Sequence, residues 1–98
     1  MLEKDIETKL RNRVKVLGGR AYKFVSPGNS GVPDRLVVLP GGKIGFAELK
    51  RPGKKPRKLQ ERQMAFLQKL GFIVKTVDSE EGIEIFIQEV IENGKTNI

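Results

Sequence analysis

Cysteine and histidine are both missing from this 98-residue chain, and their absence removes whole classes of chemistry. Zinc fingers, zinc hydrolases, Cys–His proteases, Ser–His–Asp triads and histidine-dependent nucleases all need one or the other. Any catalytic metal must therefore rest on carboxylate and carbonyl oxygen, which suits Mg2+ or Mn2+. Aromatic residues are scarce, five phenylalanines and one tyrosine. Tyr22, Phe24, Phe46, Phe66, Phe72 and Phe86 mostly alternate into core positions, which argues against a base-stacking platform. No apolar run approaches the roughly 20 residues needed to cross a bilayer. The N-terminus has no apolar stretch of the signal-peptide kind. The expectation is a cytoplasmic protein without a membrane partner.

What is present is positive charge. Nineteen Lys and Arg against twelve Asp and Glu give +7, a balance that favours a polyanionic partner, nucleic acid first. With 38% hydrophobic residues the chain can build one modest core. A single domain over 1–98 is expected, with 94–98 as a frayed tail.

Leu2, Ile6, Leu10, Val14 and Leu17 recur at helical spacing and Gly18-Gly19 supplies a stop, so the pattern predicts an amphipathic helix over 2–17. A strand from Arg20 to Val25 follows, then a turn-rich loop, Ser26-Pro27-Gly28-Asn29-Ser30-Gly31, leading into Pro33-Asp34. Arg35 to Leu39 and Ile44 to Leu49 read as the arms of a β-hairpin about Pro40-Gly41-Gly42. Lys50 to Lys58 is a basic loop. A helix from about Leu59 to Leu70 carries Leu59, Phe66, Leu67 and Leu70 on one stripe with Gln63 inside it. Phe72 to Val77 is β-branched, and Asp78 or Ser79 can cap a last helix through Ile83, Phe86, Ile87 and Val90 to about Asn93. The order is α-β-β-β-α-β-α. A helix between the third and fourth strands permits a parallel crossover, so the sheet is expected to be mixed with helices on both faces.

A turn centred on Gly41 sets residue 34 opposite residue 48, with Cβ atoms about 5 Å apart on one face, and the period of two sends Lys50 to the same face. Leu36, Val38, Ile44 and Phe46 continue that face toward the turn. Gly45 and Ala47, beside Val37 and Leu49, leave the other face open to close helix packing. Facing acids repel, and a divalent cation removes the repulsion. The other reading is a solvated pair neutralised by Lys50 or Arg35. Gln63, an amide in an apolar stripe, either faces the acidic end of the hairpin or reaches water from the stripe's edge. Glu7 and Glu3 are each a site acid or a solvated helix residue. Arg51, Lys54, Lys55, Arg57 and Lys58 are either a solvated linker or contacts to phosphate, and their position directly after the Glu48-Leu49-Lys50 triplet favours phosphate.

The run Gly31-Val32-Pro33-Asp34, then Glu48-Leu49-Lys50, then Gln63 in the following helix and Glu7 in the preceding one resembles the VRR-NUC family, the virus-type replication-repair nucleases of the PD-(D/E)XK superfamily. The match runs from the first helix to the strand ending at Val77 with no departure at a motif position. The resemblance implies a restriction-endonuclease-like fold, an α-β-β-β-α-β core with a mixed sheet, followed here by a C-terminal helix. It implies a Mg2+- or Mn2+-dependent endonuclease with Asp34, Glu48 and the Leu49 carbonyl as metal ligands and no small-molecule cofactor. In that reading Lys50 assists the attacking water, Gln63 supports the site, and Glu7, favoured over Glu3, joins through metal or water. It further implies a homodimer acting on branched DNA such as four-way junctions, in a bacterial or phage-infected cytoplasm. Two other classes stand beside it: a non-catalytic nucleic-acid-binding module on the same fold, and a nuclease subunit active only in a larger assembly.

Overall fold

Seven elements follow one another in the expected order: α1 (Glu3–Val16), β1 (Arg20–Lys23), β2 (Arg35–Leu39), β3 (Lys43–Leu49), α2 (Lys58–Lys69), β4 (Ile73–Val77) and α3 (Glu80–Asn93). The computed structural model describes residues 1–94. Of the tail expected over 94–98, residues 95–98 lie outside the described residues, while the Gly94 carbonyl accepts the Ile44 N–H at 2.7 Å. Among the described residues no helix is long and apolar enough to cross a membrane.

The strands form one sheet in the order β1-β2-β3-β4. β1, β2 and β3 pair antiparallel, and β4 joins β3 in parallel through the α2 crossover. The hairpin closes with Leu39 opposite Lys43, and Gly41 and Gly42 turn the chain with φ of 86° and 73°, values that residues with a Cβ rarely adopt. Arg35 pairs with Ala47, so the register carries Asp34 to Glu48 as the sequence implies.

Each face of the sheet has its own apolar layer. On one, Ile6, Leu10 and Val14 of α1 and Ile83, Phe86, Ile87 and Val90 of α3 pack over Ala21, Val37, Ala47 and Leu49. Gly45 admits α3, since a Cβ there would overlap Val90 Cγ2 and come within 3.0 Å of Phe86 Cζ. α3 starts on Ser79, whose Oγ accepts the Gly82 N–H at 2.9 Å. On the other face Met64 and Leu67 of α2 pack with Phe24, Leu36, Ile44, Phe46 and Val74.

Three local expectations change. α2 buries Gln60 and Met64, while Leu59, Phe66 and Leu70 point outward and Leu67 of the expected stripe does pack on the sheet, so the buried face is turned by less than one residue, under about 100°. Gln60 can sit inward because its Oε1 accepts the Arg57 N–H at 2.8 Å. β1 stops at Lys23, because the Phe24 N–H makes the last bond to β2, at the Asp34 carbonyl, before the Ser26-Pro27 turn. Of the six aromatics, Tyr22, Phe66 and Phe72 are exposed. The last helix buries Ile83, Phe86, Ile87 and Val90 as expected and leaves Ile85 and Ile91 exposed.

Candidate active site

The open end of the hairpin holds the acidic cluster. Alternation along β2 and β3 places Asp34, Glu48 and Lys50 on the face covered by α2, beyond the Phe46–Met64 layer. Glu48 is the anomaly of the chain: its side chain is 1% exposed, and neither carboxylate oxygen has a hydrogen-bond partner. Lys50 Nζ lies 3.5 Å from Glu48 Oε2, a charge contact longer than a good hydrogen bond. Burial first, and then the negative charge of Asp34, push the Glu48 carboxyl up from 4.5 to about 7 against the pull of the Lys50 ammonium. A buried acid with empty acceptor sites next to a second acid is costly when ionised, so this point favours the arrival of a cation. Of the alternative reading, the Lys50 partner is present, but Glu48 is out of solvent.

Asp34 is fixed differently. Its Oδ2 accepts the Leu49 N–H at 2.8 Å, leaving the second oxygen available. In a strand the N–H and C=O of one residue address the same edge, so the Leu49 carbonyl is directed to the edge where Asp34 stands. Asp34, Glu48 and that carbonyl are oxygen donors of the kind hard divalent cations take.

The expected outer members are placed as follows. Glu7 lies on α1, on the opposite face of the sheet, and its Oε1 pairs with Arg35 Nη2 at 2.9 Å. Glu3 is exposed in the first turn of α1. Among the described residues no group of three or more acidic side chains gathers at one point, so Glu7 is not part of a carboxylate triad with Asp34 and Glu48. Gln63 is half-buried and donates from Nε2 to the Ser30 carbonyl at 3.1 Å. It holds the loop before Asp34 rather than touching the acids. Gly31 in that loop has a φ of +85°, and a Cβ there would stand 2.9 Å from Leu59 Cγ. The loop is thus clamped onto the start of α2 by a hydrogen bond and a contact that suits glycine alone.

Arg51, Lys54, Lys55, Arg57 and Lys58 are all exposed, and none of them is in an ion pair among the described residues. The loop therefore presents free cations immediately after Lys50. Sequence reasoning missed Arg35 as the partner of Glu7, since their meeting depends on how α1 lies across β2. It also missed Ser30, whose carbonyl carries no signal in a side-chain pattern.

Comparison with known proteins bears on the family and the fold. No protein-family model matches the chain. A protein of Acyrthosiphon pisum secondary endosymbiont phage 1, described as "Putative nuclease p44", is 54% identical over 79 residues, 81% of this chain and 85% of that one. A solved structure described as a VRR_NUC domain superposes with a TM-score of 0.81 at 34% identity, covering 88% of this chain and 94% of the other. A second, described as a VRR_NUC domain protein, gives 0.77 at 18% identity over 99% and 93%, a likeness of fold.

Proposed function

The chain belongs to the VRR-NUC family of nucleases, and from that premise we propose that it is a Mg2+- or Mn2+-dependent endodeoxyribonuclease that hydrolyses phosphodiester bonds in branched DNA such as four-way junctions. The observation that carries the reading is Glu48, a buried carboxylate with both oxygens unpartnered beside Asp34 and Lys50. A divalent cation held by Asp34, Glu48 and the Leu49 carbonyl would neutralise the two acids and supply Lewis acidity toward the scissile phosphate.

The chain's own groups do the rest. The Asp34–Leu49 hydrogen bond holds one ligand oxygen in place, and the core layer beneath Glu48 keeps the other carboxylate from rotating into solvent. Lys50, at the mouth of the same face, places its ammonium where it can grip a non-bridging phosphate oxygen or orient the attacking water. In the hydrolysis a water oxygen bonds to phosphorus while the bond to the leaving sugar oxygen breaks, and the proton lost by the water balances the one gained by the leaving oxygen. Gln63 keeps the 26–33 loop, and with it Asp34, in register. Glu7, tied to Arg35 on the other face of the sheet, steadies the residue next to Asp34. Arg51, Lys54, Lys55, Arg57 and Lys58 hold backbone phosphates without reading bases.

The working unit in this reading is a homodimer in the bacterial or phage-infected cytoplasm. One site per chain cuts one strand, and a symmetric junction offers two equivalent phosphodiesters to a symmetric enzyme. Sedimentation with and without a junction tests this part, and a monomer that still resolves junctions refutes it.

The central test is cleavage of a labelled four-way junction and of a linear duplex of the same sequence across a Mg2+ or Mn2+ titration. Junction cutting that needs the metal and exceeds cutting of the duplex is the expected result. Binding without cutting at any metal concentration would make the chain a binding module. Cutting that appears only on addition of cell extract would make it a subunit of a larger assembly.

A further inference from the structure

We propose that the cleft between α1 and β1 is a second DNA-backbone site, distinct from the basic loop, which takes phosphates on the face of the sheet opposite the catalytic carboxylates. It rests on the nuclease reading above and adds to it the path of the substrate.

The cleft has a volume of about 510 Å³. Five cations line it, Arg11 and Lys15 from α1, Arg20 and Lys23 from β1 and Arg35 from β2, and no carboxylate lines it. These residues are scattered over 25 positions of sequence, from Arg11 to Arg35, and only the packing of α1 across the edge of the sheet brings them together.

The charges on α1 are sorted by face. Lys9 and Arg13 turn toward α3 and are neutralised there, by Glu80 at 2.9 Å and Glu84 at 3.0 Å. Arg11 and Lys15 are two positions further on, about 200° around the helix, and neither is in an ion pair among the described residues. Arg20 and Lys23 have no acidic partner among them either. A concave surface lined by unneutralised charge of one sign raises the local concentration of anions. At the inner end Arg35 is fixed rather than free, held by Glu7 at 2.9 Å and by the Ala21 carbonyl at 3.2 Å.

The shape of the array fits a nucleic-acid strand. Two cations one turn apart on α1 face Lys23 and Arg35, which pair across β1 and β2 on the same side of the sheet, an elongated track for successive phosphates. Arg20 and Tyr22, which pair with Val38 and Leu36, lean over the sheet edge toward the other face and form the rim of the cleft, where the Arg20 guanidinium lies 5.7 Å from the exposed Tyr22 ring centre, a flat surface for a sugar or an unstacked base. The position fits as well. Arg35 directly follows Asp34, and their side chains go to opposite faces of the sheet. The basic loop continues from Lys50 on the carboxylate face, so the two cationic surfaces lie on either side of the catalytic end. DNA that touched both would straddle that end, which duplex running along the loop alone would not do.

The test is the salt dependence of binding by the full chain to a fluorescent four-way junction, measured by anisotropy with Ca2+ in place of Mg2+. Each phosphate contact contributes about 0.9 to the slope of log K against log salt. Arg11→Ala with Lys15→Ala should lower the slope by up to ~1.8, and Arg11→Lys with Lys15→Arg should restore it. Alanine is the better helix former, and circular dichroism checks that the variants fold. Lys54→Ala with Lys55→Ala lowers the slope independently, and the two losses add in the fourfold variant if the surfaces grip different phosphates. A wild-type slope in the α1 pair, with the loop pair reduced, overturns the cleft and leaves the nuclease reading standing. Loss of polyglutamate binding with an unchanged DNA slope also overturns it, making an acidic protein the occupant. A wild-type chain that neither binds nor cuts DNA would instead defeat the nuclease reading itself.

Discussion

Asp34 and Leu49 are joined by a hydrogen bond of 2.8 Å from the Leu49 amide to Asp34 Oδ2, across the open end of the hairpin where the β2–β3 ladder has already ended. One side chain therefore does two jobs, closing the ladder and presenting a charged oxygen, and substitution can separate them. Asparagine keeps an acceptor but not the charge. Asp34→Asn should melt close to wild type while cutting at least ~100-fold more slowly. Asp34→Ala should lose the activity and also about 1–3 kcal/mol of stability, because it strands the Leu49 N–H. Full activity in Asp34→Asn, measured beside thermal melts, would remove Asp34 from the ligand set.

Glu48 makes the metal-free protein sensitive to pH in an unusual direction. Its carboxyl is pushed up to about 7 from 4.5 in the folded chain, so between those values the folded state keeps a proton that the unfolded state has released. Stability from this group is complete below pH 4.5, falls as pH rises toward 7, and is flat above it, a loss of at most about 3 kcal/mol. In EDTA, Glu48→Gln should abolish that slope and melt above wild type at pH 8. Added Mg2+ should raise the melting temperature of wild type more at pH 8 than at pH 5, since ligation needs the ionised acid, and should not move Glu48→Gln. Calorimetry at the two pH values decides; a wild-type melt that rises between pH 5 and 7 by the same amount in both proteins would clear Glu48 of the effect.

The hairpin and its acids were legible because short-range rules fix them. A Pro-Gly-Gly turn and a period of two place residue 34 against 48 and send Lys50 to the same side whatever the rest of the chain does. The small side of β3 was legible for the same reason, and Gly45 does receive α3. The rotation of α2 was not. Helical periodicity alone favoured Leu59, Phe66 and Leu70, but the face it meets is already filled by Phe24, Leu36 and Phe46, and the adaptable Met64 fits between them. Gln60 can turn inward because a cap partner at Arg57 satisfies it. The Glu7–Arg35 pair and the α1–β1 cleft were illegible for a further reason, since each is assembled from more than one element and follows no motif.

The approach of α3 to Gly45 gives a stability prediction away from the chemistry. A methyl group there overlaps Val90 and crowds Phe86, both fully buried, so helix or strand must shift. Gly45→Ala should destabilise by about 1–3 kcal/mol, and Val90→Ala introduced with it should recover part of the loss by making room. Denaturant unfolding of the single and double variants measures the coupling. Strictly additive losses would show that the two residues do not press on each other.

Gln63 tests whether a residue can serve the site without touching it. Its Nε2–H to the Ser30 carbonyl bond of 3.1 Å and the seat of Gly31 against Leu59 are what hold the loop from which Asp34 emerges. Removing a half-exposed hydrogen bond should cost no more than about 1 kcal/mol of stability. Misplacing a ligand by ~1 Å can cost up to ~100-fold in rate. Gln63→Ala is therefore expected to melt near wild type, to cut more slowly, and to need more Mg2+ for half-maximal rate. Gln63→Glu, which keeps the length but cannot donate when ionised, should behave the same way, and Gly31→Ala should reproduce the Mg2+ shift from the other side of the clamp. Metal titrations of cleavage on all three variants make the comparison. An unchanged half-maximal Mg2+ concentration in Gln63→Ala and Gly31→Ala together would mean that the loop does not position Asp34, and Gln63 would then be a surface amide at the edge of α2.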